Sequence, residues 1–205
     1  METHSPYNYI MASRPEPILL HDHAIDNLRF IRDTMERAGS FTAVPGSGGI
    51  AMGLSAFAAA MAVMAYPGSF LTIWLVEAMI ALAIGMVSTI WKARGIRVLA
   101  GSGPARKFAL SFAPPLIVGV VLTFVLVRAA VPGLLPGVWL CMYGVAIIAG
   151  GAFSVRVIPI MGVGFLCAGI AAFCTPPAWG NAWLASAFGG LHIVFGAIIA
   201  RRYGG

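Results

Sequence analysis

The sequence predicts an all-α membrane protein: six transmembrane helices in one bundle, both termini cytoplasmic, preceded by a cytoplasmic amphipathic helix. Three observations carry that expectation. The 205 residues are 60% apolar and 10% charged, with mean hydropathy +0.90. A soluble domain carries roughly 25% charged residues. The apolar runs alternate with short loops and approach the roughly 20 residues that cross a bilayer core. Of the 13 basic residues, all but Arg128 fall in the N-terminal segment or in loops of one parity. Lys/Arg bias in short loops sets orientation, so this parity reads as the cytoplasmic side.

Residues 1–48 read as a cytoplasmic tail. Up to Leu20 the chain has Pro6, Pro15 and Pro17 and no periodicity. From Asp22 to Ala38, Ile25, Leu28, Ile31 and Met35 recur at helical spacing, and Gly39 supplies a stop. Arg29–Asp33, Arg32–Glu36 and Asp33–Arg37 stand at i,i+4 on the other face. An amphipathic helix over 22–38 is expected, along the inner membrane surface or across the mouth of the bundle. The first twenty residues contain Glu2, His4, Arg14 and Glu16 and no continuous apolar stretch. No cleavable signal peptide is therefore read, and the first span is expected to act as an uncleaved signal.

Residues 49–205 form the membrane domain, with spans near 49–66, 70–90, 109–127, 135–151, 158–173 and 182–200. Tyr66, Trp139, Trp179 and Trp183 mark their outer edges, and Trp91 and Tyr203 the inner ones. Turn chemistry separates them at Pro67-Gly68, Pro132-Gly133 with Pro136-Gly137, and Pro176-Pro177. Basic residues crowd the loop 91–107 (Lys92, Arg94, Arg97, Arg106, Lys107), then Arg156, Arg201 and Arg202. They sit at helix ends, not along a stripe, so the net charge of +6 points to an anionic inner leaflet and not to nucleic acid. Spans 1–2 and 5–6 also share a pattern at one constant offset: Met52-Gly53 with Met161-Gly162, Pro67 with Pro176, Trp74-Leu75 with Trp183-Leu184. A parallel hairpin repeat would explain it, as would chance in a chain rich in Gly, Ala and Met.

Small residues allow close helix approach. Gly49–Gly53 is a GxxxG, Ala81–Gly85 a second small pair, and Gly189-Gly190 with Gly196 line span 6. They serve packing inside one bundle or a homo-oligomer seam. Cys141, Cys167 and Cys174 read as small packing residues. Cys141 and Cys174 share an outer end, which leaves an outer disulfide open.

Polar chemistry inside the spans is scarce. Glu77 is the one acidic residue beyond the N-terminal segment, roughly 10 Å below the outer edge of span 2 at 1.5 Å per residue. An ionised carboxylate there costs about 2.5–3.5 kcal/mol, so it must pair, protonate or meet water. His192 in span 6 lies roughly 15 Å deep by the same count. If their faces meet, the two form a relay for a proton or a hold for a polar ligand. Otherwise each simply hydrogen-bonds a neighbour and fixes packing. Arg128 either snorkels outward or reaches down to Glu77. His21-Asp22-His23 with Asp26 lacks the three or four convergent ligands of a metal site. No phosphate loop, nucleophile elbow or dinucleotide fingerprint is present, and no cofactor is called for.

Three stretches carry a resemblance: Glu36-Arg37-Ala38-Gly39-Ser40-Phe41-Thr42-Ala43-Val44-Pro45-Gly46, Phe188 to Gly196, and Ala200-Arg201-Arg202-Tyr203. With them the chain resembles a group of small bacterial six-span membrane proteins. That resemblance implies a bacterial cytoplasmic membrane and brings no activity, ligand or catalytic residue. The functional expectation is a non-enzymatic membrane protein that binds or moves a small solute or proton near Glu77 and His192. The alternative is a structural, sensory or accessory subunit that docks a protein partner through its N-terminal helix. Enzymatic catalysis would need a cluster of positioned groups that the sequence does not offer.

Overall fold

The computed structural model describes residues 25–31, 45–95 and 103–203, and every regular element among them is helical. The chain divides into two units, Met1–Ala38 and Gly39–Gly205. In the first, residues 25–31 are helical, and Asp26 and Arg29 approach to 3.7 Å at i,i+3. The rest of the expected amphipathic helix, the His21-Asp22-His23 cluster and the tail lie outside the described residues.

The second unit contains α1 (Gly46–Ala65), α2 (Phe70–Gly95), α3 (Gly103–Arg128), α4 (Leu135–Gly151) and α5 (Val157–Phe173). A last helical run, α6, has three parts: Gly180–Leu184, a π-helical turn Ala185–Leu191, and His192–Tyr203. Five helices are long and apolar enough to cross a membrane: Gly46–Ala65, Pro67–Lys92, Ala105–Arg128, Pro132–Gly151 and Pro177–Tyr203. That is the pattern of a membrane-embedded protein. The 17 residues of α5 rise only about 25 Å, below the roughly 30 Å of a hydrocarbon core. Helix α4 occupies the expected bounds. Helices α2 and α3 run past theirs, to Gly95 and from Gly103. The expected ends follow the change from apolar to basic residues, whereas a helix keeps its main-chain bonds while Lys and Arg side chains reach toward water.

Helices α1, α4, α5 and α6 supply most of the interior, where Leu135, Leu140, Phe165 and Leu184 are fully buried. Helix α2 packs on α1 and α3 on α4, as flanks. Each flank turns a broad apolar face outward, including Val76, Met79 and Met86 on α2 and Val120, Val121 and Phe124 on α3. Such faces suit acyl chains, since lipid offers no penalty for exposing them. Lipid also removes the hydrophobic drive for helix pairing, so the helices must associate through close van der Waals contact.

Glycine makes that contact possible at two seams. A methyl added at Gly53 of α1 would lie 2.6 Å from the Gly189 carbonyl oxygen of α6, and one at Gly196 would lie 2.8 Å from Gly46 O. Between α4 and α5, Gly144 and Gly162 stand face to face. A methyl on either would sit 2.9 Å from the other's carbonyl oxygen. The GxxxG of Gly49–Gly53 and Gly189 and Gly196 of α6 thus pack within the chain, while Gly190 faces open space. The cysteines are free, and Cys141 Sγ fills the space beside Gly169.

The three hairpins turn alike. Short 3₁₀ turns at Pro67–Ser69, Pro132–Leu134 and Pro177–Trp179 join α1 to α2, α3 to α4 and α5 to α6. Pro67, Pro132 and Pro176 each precede a tryptophan by seven residues, at Trp74, Trp139 and Trp183. The pattern shared by spans 1–2 and 5–6 therefore extends in part to the middle hairpin. All three turns gather at one end, which we call the turn end: Phe70 stacks on Trp139, and Gly133 packs on Pro177. At the opposite, basic end, Lys92 Nζ donates to the Tyr203 carbonyl at 3.3 Å, tying α2 to α6.

Candidate functional site

Glu77 and His192 are the buried polar or charged residues of the described core, 6% and 4% exposed. Glu77 comes from α2, one turn past the buried Trp74, and faces α1. Its Oε1 lies 2.8 Å from Ser55 Oγ, and the same Oγ lies 2.9 Å from the Met52 carbonyl oxygen. A hydroxyl carries one proton and cannot donate to both. The arrangement that uses every group has a neutral carboxyl donating to Ser55 Oγ, while the Ser55 O–H donates to Met52 O. A carboxylate would instead take the Ser55 proton and leave Met52 O its main-chain bond alone. The other carboxyl oxygen, Oε2, has no hydrogen-bond partner among the described residues.

His192 opens the last part of α6, directly after the π turn. Its Nδ1 lies 2.9 Å from the Phe188 carbonyl and its Nε2 2.8 Å from Tyr143 Oη. A carbonyl only accepts, so Nδ1 carries the proton. Nε2 of the neutral ring is then the acceptor, and the Tyr143 hydroxyl donates to it. At the end of the π turn the His192 amide donates to Gly189 O. Rings close around the imidazole, with Phe165 edge-on at 5.3 Å, Phe188 stacked at 6.1 Å and Tyr143 tilted at 5.5 Å between centroids.

No hydrogen bond joins the two groups. Glu77 belongs to the α1–α2 seam and His192 to the meeting of α4, α5 and α6. What lies between is aromatic: Trp74 packs on Phe188 at 6.3 Å, and Phe188 on His192. Above Glu77, toward the turn end, the Trp74 indole donates to Asn181 Oδ1 at 3.0 Å, and Asn181 Nδ2 donates to the Ala60 carbonyl at 3.0 Å. One side chain of α6 thus latches α2 to α1. Arg128 is not brought to Glu77. It is exposed at the end of α3, its guanidinium over the Phe124 ring at 5.5 Å.

Sequence reading singled out Glu77 and His192 but missed Ser55, Tyr143 and Asn181, which complete their surroundings. The available signal was their polarity inside apolar runs, but Ser55 reads as one more small packing residue and Tyr143 as one more aromatic. Fold and site together define a helical, membrane-embedded protein with two separately partnered ionisable groups in its interior. No known family, characterised protein or solved structure matches the chain. A functional reading therefore rests on the geometry.

Proposed function

We propose that this chain is a non-enzymatic, six-span integral membrane protein that binds or passes a proton or small solute through Glu77 and His192. Both termini lie on the cytoplasmic side of what we take to be a bacterial inner membrane. The observation that carries this reading is the burial of two ionisable side chains in an otherwise apolar helical core. Such groups are costly at depth and lie in pathways more often than in mere packing. Topology is supported by the charges: among the described residues of this unit, Lys92, Arg106, Lys107, Arg156, Arg201 and Arg202 belong to the basic end, and Arg128 alone to the turn end. Helix α5 completes a sixth crossing if the bilayer thins locally or if its flanking turns enter the interface.

The test is purified protein in liposomes that enclose a pH-sensitive dye, with a potassium diffusion potential imposed by valinomycin. Protein-containing vesicles should acidify faster than empty ones, and Glu77→Gln should return the rate to that of empty vesicles. His192→Gln should slow it. Equal rates for protein-containing and empty vesicles would remove proton passage from the proposal. A second reading, an accessory subunit docking through its N-terminal helix, draws on Leu28 and Ile31, 66% and 51% exposed on the described turns. Pull-down with and without residues 1–38 addresses it, and an identical partner set would count against docking there.

A further inference from the structure

The carboxyl of Glu77 has a neighbourhood that packing does not require. Three oxygens of three kinds stand in line there: the carboxyl, the Ser55 hydroxyl at 2.8 Å from it, and the Met52 carbonyl at 2.9 Å from that hydroxyl. Glu77 is 94% buried by its 6% exposure, and its Oε2 is left without a donor. Oxygen-only sets of carboxylate, hydroxyl and main-chain carbonyl are the ligands that hard cations choose. No described nitrogen donor and no second carboxylate takes part.

Charge then decides which cation. One carboxylate neutralises one monovalent ion, and the complex as a whole is uncharged in the hydrocarbon region. A divalent ion would leave one net positive charge at that depth, with the penalty already given for a buried charge. A proton fulfils the same neutrality by sitting on the carboxyl itself, using the Glu77–Ser55–Met52 chain of donors. Ion and proton thus satisfy one site by two arrangements of the same three oxygens, and they exclude each other.

We infer that Glu77, Ser55 and the Met52 carbonyl form a monovalent-cation site at the α1–α2 seam, in which sodium competes with the proton. The inference rests on the reading of Glu77 as a functional group and names its ligand. The Trp74–Asn181–Ala60 latch closes the site toward the turn end. Entry is therefore lateral along the seam or from the basic end.

The experiment uses the whole chain in detergent or liposomes and a hydrophobic carbodiimide. The acid proton of a neutral carboxyl moves to a carbodiimide nitrogen while the carboxylate oxygen adds to its central carbon. The O-acylisourea then rearranges to a stable N-acylurea. A carboxylate holding sodium lacks that proton and does not react. Mass spectrometry of the peptide bearing Glu77 reads the modification. Wild-type protein should be labelled in choline buffer and protected by added sodium, less so as pH falls. Potassium at equal ionic strength is the control for salt. Ser55→Ala should raise the sodium concentration for half-protection about tenfold, the loss expected for one ligand to a charged group. Ser55→Thr, which keeps the hydroxyl, should restore it. Labelling that sodium leaves unchanged overturns the inference, as does a Glu77 that never reacts. If vesicle acidification still depends on Glu77 in the former case, the proton reading stands and only the sodium site falls.

Discussion

Tyr143 shows how much a single hydroxyl decides in this interior. Among the described residues its proton is the one donor that reaches His192 Nε2, and three other aromatic rings, Phe112, Phe165 and Phe188, surround the pair. Tyr143→Phe removes that donor and leaves the imidazole acceptor buried and unpaired. The expected cost is about 1–3 kcal/mol, read as a lower thermal midpoint in detergent. Adding His192→Leu removes the unpaired acceptor and should return part of the loss. An additive double variant would show that the two side chains do not interact. Ala130 is a second residue-scale case. It adopts φ 58°, with the Val131 amide bonded back to Leu126 O at 3.0 Å, the pattern in which a helix normally ends on glycine. Ala130→Gly should raise stability by about 0.5–1 kcal/mol, the left-handed cost outweighing the freedom glycine adds to the unfolded chain. An unchanged midpoint would mean the turn relaxes without strain.

At the scale of elements, the seams are set by missing side chains. Gly189 and Gly190 are neighbours in sequence, yet a methyl on Gly189 would meet the Phe57 ring at 2.8 Å, while one on Gly190 meets nothing within 4 Å. Gly189→Ala should therefore destabilise by about 1–3 kcal/mol through overpacking, and Gly190→Ala should be close to neutral. Thermal unfolding of the two variants side by side measures the seam with its own control. Much of this level was legible in advance. Apolar runs bounded by Pro-Gly turns gave the helices, and a carboxyl or imidazole inside such a run is conspicuous. What was not legible is which face of each helix meets which neighbour. The spans are apolar all round, so no polar stripe phases them. Ser55–Glu77, Tyr143–His192 and Asn181–Ala60 are partnerships across 22, 49 and 121 residues of chain. Local sequence carries no trace of such pairings. The π turn was equally hidden, because Gly189-Gly190 reads as packing whether the turn is wide or not.

At the largest scale, the described residues of the second unit form three hairpins with one kind of turn, and the two ends of that unit differ in chemistry. Pro-initiated turns and the indoles of Trp139, Trp179 and Trp183 occupy one end. There the Trp139 indole donates to Thr123 and the Trp183 indole to Thr175, each at 2.8 Å. All the described cations of this unit except Arg128 stand at the other. This polarity gives a prediction for the proposed topology. Cys174 is exposed beside the third turn, whereas Cys167 is exposed on the apolar face of α5. In intact cells a membrane-impermeant maleimide should label Cys174 and spare Cys167, as checked by peptide mass. Labelling of Cys174 only after the cells are opened would reverse the orientation.

The π turn of α6 has one more consequence. A wide turn is what results when a helix takes in one extra residue without passing the displacement on. In an unbroken α-helix that residue would rotate everything beyond it by about 100°. Gly196 would then leave its close approach to Gly46 and Ile50 of α1. Absorbed on the spot, the insertion leaves both halves of the helix in phase with their neighbours and disturbs only the stretch before His192. In that sense α6 contains one residue more than its packing asks for, and the surplus lies directly before the buried imidazole.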